Sequence, residues 1–402
     1  MNHCLLFSIG SITRASGVHR IATHLRNQNW DAEVIDFASF WKLEELKELV
    51  RSRFTSSTKF IGFSFIFDKY WTPLLEQFAS WIKQSYPDIF IVSGSQGFGA
   101  YTSQYIDYYI SGYGEYALDA LLMYKLSNGK RPIFNLQHNK KVIDAIHYYP
   151  AYPMLSPTII YEDRDFINKE EWLGIEFSRG CKFSCAYCNF PILGVKGDYT
   201  RTAESVKVQL EDAYNRFGTT NYYVTDETFN DRTEKITKFA DVVQDLSWAP
   251  YFTGYIRPDL LISRPRDREE LARMNFFGHY YGVESLNNQS AKAVGKGMDT
   301  DRLKQGLIEC KNYFQTVSGN LYRATIGLII GLPYDTPQLI DQAIDWFSAN
   351  WSDQRIVSYV LEIPRDELTR PSKMSLNFKQ YGYRLGGADI KVVGSNYLPV
   401  II

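Results

Sequence analysis

What the chain lacks narrows its class. Its 402 residues hold five cysteines and six histidines, too few for the disulfide framework of a small secreted domain. No apolar stretch reaches the ~18 residues that a membrane helix needs. The start, MNHCLLFSIGSITRASG, has a short apolar run with no basic region before it, so it does not have the form of a secretory signal. Formal net charge is −1, which leaves no basic field of the kind that dominates binding to a phosphate backbone. No clear nucleic-acid signature or membrane segment is therefore expected. At 402 residues the chain is long for one core, which implies two domains. Its 45% hydrophobic and 22% charged residues are ordinary for a folded protein and argue against long disorder. Aromatic residues, at 15%, are abundant, and core packing accounts for them.

What is present is concentrated between Trp172 and Pro191, WLGIEFSRGCKFSCAYCNFP. Cys181, Cys185 and Cys188 follow an apolar run, Leu173 to Phe177, that reads as a buried strand closed by Ser178-Arg179-Gly180. Structural zinc takes four ligands, usually with a second Cys or His pair further on. Here the next histidine is His279 and the next cysteine Cys310, so that pair is missing. Three thiolates can instead hold three irons of a [4Fe-4S] cluster and leave the fourth open to a small molecule. Clustered thiols of this kind suit a reducing compartment, and the cytoplasm is the expected location.

The motif CKFSCAYC resembles that of the radical S-adenosylmethionine (SAM) enzymes, Cys-x3-Cys-x-aromatic-Cys, with Tyr187 at the aromatic position. The resemblance implies that the open iron chelates SAM and that one-electron reduction yields a 5′-deoxyadenosyl radical. It also implies an electron donor such as flavodoxin or ferredoxin. Cys181, Cys185 and Cys188 would supply the cluster, with Tyr187 packed beside it.

Before this motif, strands and helices alternate. Cys4 to Ile9, Ala32 to Phe37, Phe60 to Ile66, Ile89 to Gly94 and Tyr108 to Gly112 read as strands. Gly17 to Asn27, Leu43 to Phe54 and Thr72 to Gln84 read as helices. Alternation of this kind implies a doubly wound parallel sheet, with ligands beyond the carboxyl ends of its strands, where Gly10, Ser64, Ser93, Gly94 and Gly112 fall. Together with the cysteine motif, this layout resembles the Rossmann-like cobalamin-binding domain of one large branch of radical SAM enzymes. Ser64 and Ser93-Gly94-Ser95 stand where that domain has small residues around the cofactor tail. Gly112-Tyr113-Gly114-Glu115 looks like its closing loop. The cobalt-ligating Asp-x-His-x-x-Gly of many such domains is replaced by Ser11 to Gly17, and His19 lies outside any such motif. Both a cobalamin-bound and a cobalamin-free protein are compatible with this pattern.

The sequence thus divides into a first domain at residues 1–125, a connecting stretch at 126–170, a barrel at 171–365 and an extension at 366–402. The connector is broken by Asn128-Gly129, Tyr149-Pro150, Tyr152-Pro153 and Ser156-Pro157. The barrel shows six strand–helix repeats, fewer than the eight of a closed (β/α)8 barrel. The resemblance implies an open (β/α)6 TIM-type partial barrel.

Functional groups belong at the carboxyl ends of such strands. Thr225-Asp226-Glu227 ends the second, where the family bonds the SAM amino group. Arg257 ends the third in Ile-Arg-Pro-Asp, and relatives contact SAM from there. Glu284 ends the fourth, where a carboxylate can accept both ribose hydroxyls. Lys296 matches a basic residue directed at the SAM carboxylate. The Gly331-Leu332-Pro333 turn leads to Thr336, expected to cap the next helix. The apolar end, Leu-Pro-Val-Ile-Ile, reads as a strand in need of a partner.

The implied activity is hydrogen abstraction from a substrate whose identity the sequence leaves open. With cobalamin, methyl transfer to an unactivated carbon follows; without it, rearrangement, epimerisation or methylthiolation. The rivals are an iron–sulfur electron carrier or redox sensor and a zinc-stabilised interaction module.

Overall fold

A computed structural model of the chain describes residues 1–10, 13–65, 71–95, 103–130, 136–137, 141–148, 158–188, 199–361, 363–364, 372–385, 397–398 and 400–401. Ser11 and Ile12, the Tyr-Pro pairs of the connector, Pro191 and Arg365 to Glu367 lie outside the described residues. The chain divides into two compact units, Met1–Gly174 with Asp212–Thr219, and Ile175–Glu211 with Thr220–Ile402.

The first unit is built on β1 (Asn2–Ile9), α1 (Ser16–Arg26), β2 (Trp30–Ile35), α2 (Leu43–Arg53), β3 (Thr58–Phe65), α3 (Pro73–Ser85), β4 (Phe90–Ser95), β5 (Tyr108–Ser111) and α4 (Glu115–Leu126). Seven of the eight β1 residues are buried, as expected of a parallel strand covered on both faces. With β6 (Leu136–Gln137) and β7 (Val142–Asp144), the sheet order is β2-β1-β3-β4-β5-β7-β6, parallel from β2 through β7. That is the doubly wound arrangement expected from the alternation. Helix α3 starts on a local signal: Thr72 accepts from the Leu75 amide while Pro73 takes the first turn, where a missing N–H costs nothing.

The connector differs from its expected character. Its residues add β6 (Leu136–Gln137) and β7 (Val142–Asp144) to this sheet, and Val142 and Ile143 are buried. Further on, Thr23 donates to the Ile160 carbonyl and accepts from the Ile160 amide, and Tyr161 stacks on His19 with ring centroids 4.7 Å apart. The Pro and Gly punctuation concealed a short apolar strand, Val142-Ile143, whose burial outweighs the broken periodicity.

The second unit takes in the last residue of β8 (Trp172–Ile175), β9 (Ser178–Arg179), β10 (Tyr199–Thr200), α5 (Ala203–Phe217) as far as Glu211, β11 (Asn221–Val224), α6 (Thr233–Gln244) and β12 (Tyr251–Ile256). It continues with α7 (Pro258–Ser263), α8 (Arg266–Arg273), β13 (Phe276–Glu284), α9 (Asn288–Ala293), α10 (Thr300–Ser318), β14 (Arg323–Ile330), α11 (Pro337–Asn350) and β15 (Arg355–Val360). Six strands stand in sequential order, β15-β14-β13-β12-β11-β8, and those from β11 to β15 pair in parallel. Sequential order, with a helix following each strand up to β14, is that of the six-stranded partial barrel. Thr336 caps α11 as expected, accepting from the Leu339 amide at 3.3 Å.

Strand β13 begins at Phe276 and runs through Gly278, which interrupts its apolar pattern. The glycine is required there. A Cβ at Gly278 would lie 2.4 Å from the Thr253 side chain on β12, a separation no packed pair tolerates. The apolar carboxyl end finds partners among residues that follow β15: Tyr397–Leu398 pairs with Ile363–Pro364, and Val400–Ile401 with Arg384–Leu385.

Candidate active site

The cysteine loop is shaped before any ligand enters. Asp226, at the end of β11, is fully buried and receives the Phe177 amide at 2.7 Å and the Ser178 hydroxyl at 2.6 Å. Lys235 of α6 donates to Ser178 Oγ at 2.8 Å and stands 3.9 Å from Asp226. Burial raises the Asp226 pKa, outweighing Lys235 and the Ser178 and amide hydrogen bonds. Glu227 accepts the amide of Gly180 at 3.1 Å, a residue at φ 95 that glycine adopts without penalty. Thr225 donates its hydroxyl to the Ile175 carbonyl at 3.3 Å. The Thr-Asp-Glu motif thus ties down the backbone leading into Cys181. Both Asp226 oxygens accept hydrogen bonds from that loop.

The three cysteines are unbridged and partly exposed. Among the described residues no three His, Cys, Asp or Glu side chains converge on a point that would hold a single metal ion. A tetrahedral zinc requires that convergence; a four-iron cluster, which gives each thiolate its own iron, does not. Three unbridged, partly exposed thiols on one loop are a donor set that suits an iron–sulfur cluster, one thiolate to an iron.

Other strand-end residues gather around this loop. Arg257, ending β12, points Nη1 at the Cys185 sulfur, 3.5 Å away, and lies over the Phe183 ring at 3.9 Å. Its Nε and Nη2 grip Asp259 at 3.1 and 2.7 Å. Burial lowers the guanidinium's pKa, but Asp259 more than offsets this and the net direction is up. Tyr187 donates to Glu284 Oε1 at 2.7 Å, and burial followed by the Glu284 charge holds its phenol well above the usual range. Lys296 reaches the same carboxylate at 3.3 Å and the Gly282 carbonyl at 2.8 Å. The Ala186 amide bonds the Val294 carbonyl at 3.0 Å, so the loop is also stitched to the turn that carries Lys296.

Glu284 stands at φ 67, a left-handed conformation that costs a non-glycine residue on the order of 1–2 kcal/mol. The register between β13 and β14 shifts between Gly282 and Glu284, and such a bulge re-aims the side chain that follows it. Gly282 makes room: a Cβ there would sit 2.7 Å from Glu284 Oε1. Strain and space are thus both spent on aiming one carboxylate.

Sequence reasoning missed the tyrosines on the same sheet face. Tyr255 and Tyr280 have ring centroids 4.7 Å apart, and Tyr280 donates to Tyr359 at 3.3 Å. Tyr255 and Tyr359 are each 56% exposed, which leaves aromatic and phenolic surface open beside Glu284. The signal lay in FFGHYYGVE: His279, Tyr281 and Val283 are buried while Tyr280, Gly282 and Glu284 are not, a period-2 alternation. Cys310, chemically able to quench a radical, is buried in α10 with its thiol pushed up to about 12 by burial.

In the first unit, Gly112 is at φ 105. Ser93 is buried, and its Oγ finds no hydrogen-bond partner among the described residues. A Cβ on Gly94 would come no closer than 3.6 Å to the Ile110 carbonyl, and Ser64 is half-buried at the end of β3. An orphaned buried hydroxyl among small residues at strand ends fits a ligand that brings its own polar atoms. His19 takes no part in this. It is fully buried, with Nε2 2.9 Å from Asp36 and Nδ1 3.8 Å from Asp165.

Comparison with known proteins agrees with this reading. The family model described as the radical SAM superfamily matches residues 175–347. The cobalamin-dependent SAM radical enzyme OxsB, solved with aqua-cobalamin and SAM bound, superposes with TM-score 0.67 at 17% identity, covering 95% of this chain and 56% of that one. OxsB with aqua-cobalamin alone gives 0.68 at 16% identity, with the same coverage. This chain thus matches little more than half the length of those structures, and at such identity the likeness establishes the fold. No curated protein matches the chain in sequence. The cysteines stand on the loop after the first barrel strand, inside the segment 175–347 that matches the radical SAM family model, and the fold of the chain is like that of a cobalamin-dependent radical SAM enzyme.

Proposed function

We propose that the chain cleaves SAM reductively at a [4Fe-4S] cluster held by Cys181, Cys185 and Cys188, and that the resulting radical takes a hydrogen atom from a bound substrate. The observation that carries this is convergence. Residues from β12, β13 and the turn after α9 meet the cysteine loop through the Arg257–Cys185 and Tyr187–Glu284 contacts and the Lys296–Glu284 pair. The cluster supplies the electron that produces the 5′-deoxyadenosyl radical. The protein's own residues orient and shield. Glu284, fixed by Tyr187 and Lys296, accepts the ribose hydroxyls. Lys296 offers its charge to the SAM carboxylate. Glu227 and Thr225 hold the loop beside the amino group. The open face of Tyr255, Tyr280 and Tyr359 receives the substrate.

We also propose that the first unit binds cobalamin, with Ser64, Ser93, Gly94 and Gly112 around its tail, and that the reaction is methyl transfer. The unpartnered Ser93 hydroxyl supports this over the cobalamin-free reactions. The decisive experiment is anaerobic reconstitution with iron and sulfide, then addition of reductant and SAM. Wild type should release 5′-deoxyadenosine and Cys185→Ala should release none; an intact cluster that leaves SAM untouched would favour the electron-carrier reading. Loading with hydroxocobalamin followed by gel filtration should leave a corrinoid absorption band on wild type. Ser93→Leu should lose it.

A further inference from the structure

We infer that Arg257 sets the reduction potential of the cluster through a hydrogen bond to the sulfur of Cys185, given by a guanidinium that the chain has locked in place. The inference rests on the cluster assignment above, and concerns the electron that must arrive before any SAM is cleaved.

Three constraints fix the donor. The Asn230 side chain holds both backbone groups of Arg257, accepting from its amide and donating to its carbonyl at 2.9 Å each, and Asn230 is itself fully buried. Asp259 then takes Nε and Nη2, and this two-point grip fixes the guanidinium plane. Phe183, inside the cysteine motif, lies under that plane at 3.9 Å. Nη1 is left directed at the Cys185 sulfur. A lysine has no equivalent, because one ammonium cannot clamp a carboxylate in a plane and present a separate, fixed N–H to sulfur. Neighbouring cations are engaged elsewhere: Lys182 donates to the Asp231 carbonyl, and Lys235 to Ser178 and the Thr228 carbonyl.

Reduction adds one negative charge to the cluster. A fixed, charge-assisted N–H at a ligating sulfur stabilises the reduced form more than the oxidised one, which raises the potential. The Arg257 side chain is only 10% exposed, so water screens this effect weakly.

The test is redox titration, without SAM, of anaerobically reconstituted wild type, Arg257→Gln, Arg257→Lys and Lys182→Gln, following the electron paramagnetic resonance signal of the reduced cluster. At the potential that half-reduces wild type, Arg257→Gln should lower the reduced-to-oxidised ratio at least tenfold, about 59 mV for a one-electron couple. Lys182→Gln removes a charge from the same loop without touching sulfur, and should stay within twofold. A ratio for Arg257→Gln within twofold of wild type, or equal to that of Lys182→Gln, overturns the inference. If Arg257→Gln takes up no iron, Arg257→Lys is read on the same scale, and a ratio within twofold of wild type overturns it there. A shifted potential in a protein that leaves SAM intact would uphold the role of Arg257 and sink the radical reading. A wild type that assembles no four-iron cluster sinks both.

Discussion

Tyr187 donates its hydroxyl hydrogen to Glu284 across 2.7 Å, joining residues 97 positions apart. One lies between the last two cysteines of the motif, the other at the end of β13, so a single bond relates the loop that carries the thiols to a carboxylate aimed at the same space. Glu284 also holds Lys296, and removing one of its two partners should weaken its aim without freeing it. Tyr187→Phe is expected to lose about 1 kcal/mol of the interaction and to bind SAM several-fold more weakly with unchanged iron content. Iron and sulfide assays beside a SAM titration check this. Unchanged SAM affinity would mean that Glu284 does not face the cofactor.

Gly282 tests the same carboxylate from below. A methyl group there would come within 2.7 Å of Glu284 Oε1 and 3.5 Å of Lys296 Nζ. Both are the ends of side chains, so they can yield, and Gly282→Ala should cost the fold no more than about 1 kcal/mol. What it cannot keep is the geometry of the pair. The expected outcome is a near-normal melting temperature with a rate of 5′-deoxyadenosine formation at least tenfold lower. A large drop in melting temperature would show that Gly282 serves the fold alone.

The architecture was legible because both repeating patterns are strong: buried β-branched and aromatic runs separated by amphipathic helices place β1 to β5 within a few residues and mark the strand–helix repeats of the barrel. The cysteine loop was legible from spacing alone. What escaped was partnership. Asp226 and Glu227 stand side by side in sequence, and nothing local says that the first is sealed beneath the loop by Phe177, Ser178 and Lys235. Lys296 and Glu284, read as holding different parts of SAM, are paired with each other. The β7 strand was hidden because three residues, Val142 to Asp144, are too few to show a period.

Asp226 allows the two roles of a motif carboxylate to be separated. Its oxygens receive a buried amide and a buried hydroxyl, with Lys235 nearby, and removing them leaves donors with no water to turn to. Asp226→Ala should therefore destabilise the protein by about 3 kcal/mol and lose iron, because the backbone entering Cys181 is no longer held. Thermal melts and iron assays on the anaerobic protein measure both. An Asp226→Asn variant that melts and loads iron like wild type, yet binds SAM poorly, would instead make Asp226 a SAM ligand.

The first unit carries a pH dependence of its own. His24 of α1 places Nε2 2.9 Å from the Asp119 carboxylate of α4, with Gln28 against the same group. Burial lowers the imidazole's pKa, but the Asp119 bond and the charges of Asp119 and Glu115 outweigh it, and the net shift is upward from 6.5. A cationic group whose folded pKa is raised contributes its stability in full below the unfolded value, and loses it as pH climbs through the folded value. The side chains are 16% and 18% exposed, so the contribution is modest, about 0.5–1 kcal/mol. His24→Gln keeps a donor for Asp119 but cannot titrate. Wild type should therefore melt above His24→Gln at pH 5.5, and the gap should close by pH 8.5. Melting curves for both proteins across that range decide it. A gap that stays constant would mean that the pair acts through shape and hydrogen bonding, with the proton on His24 contributing nothing to holding α1 against α4.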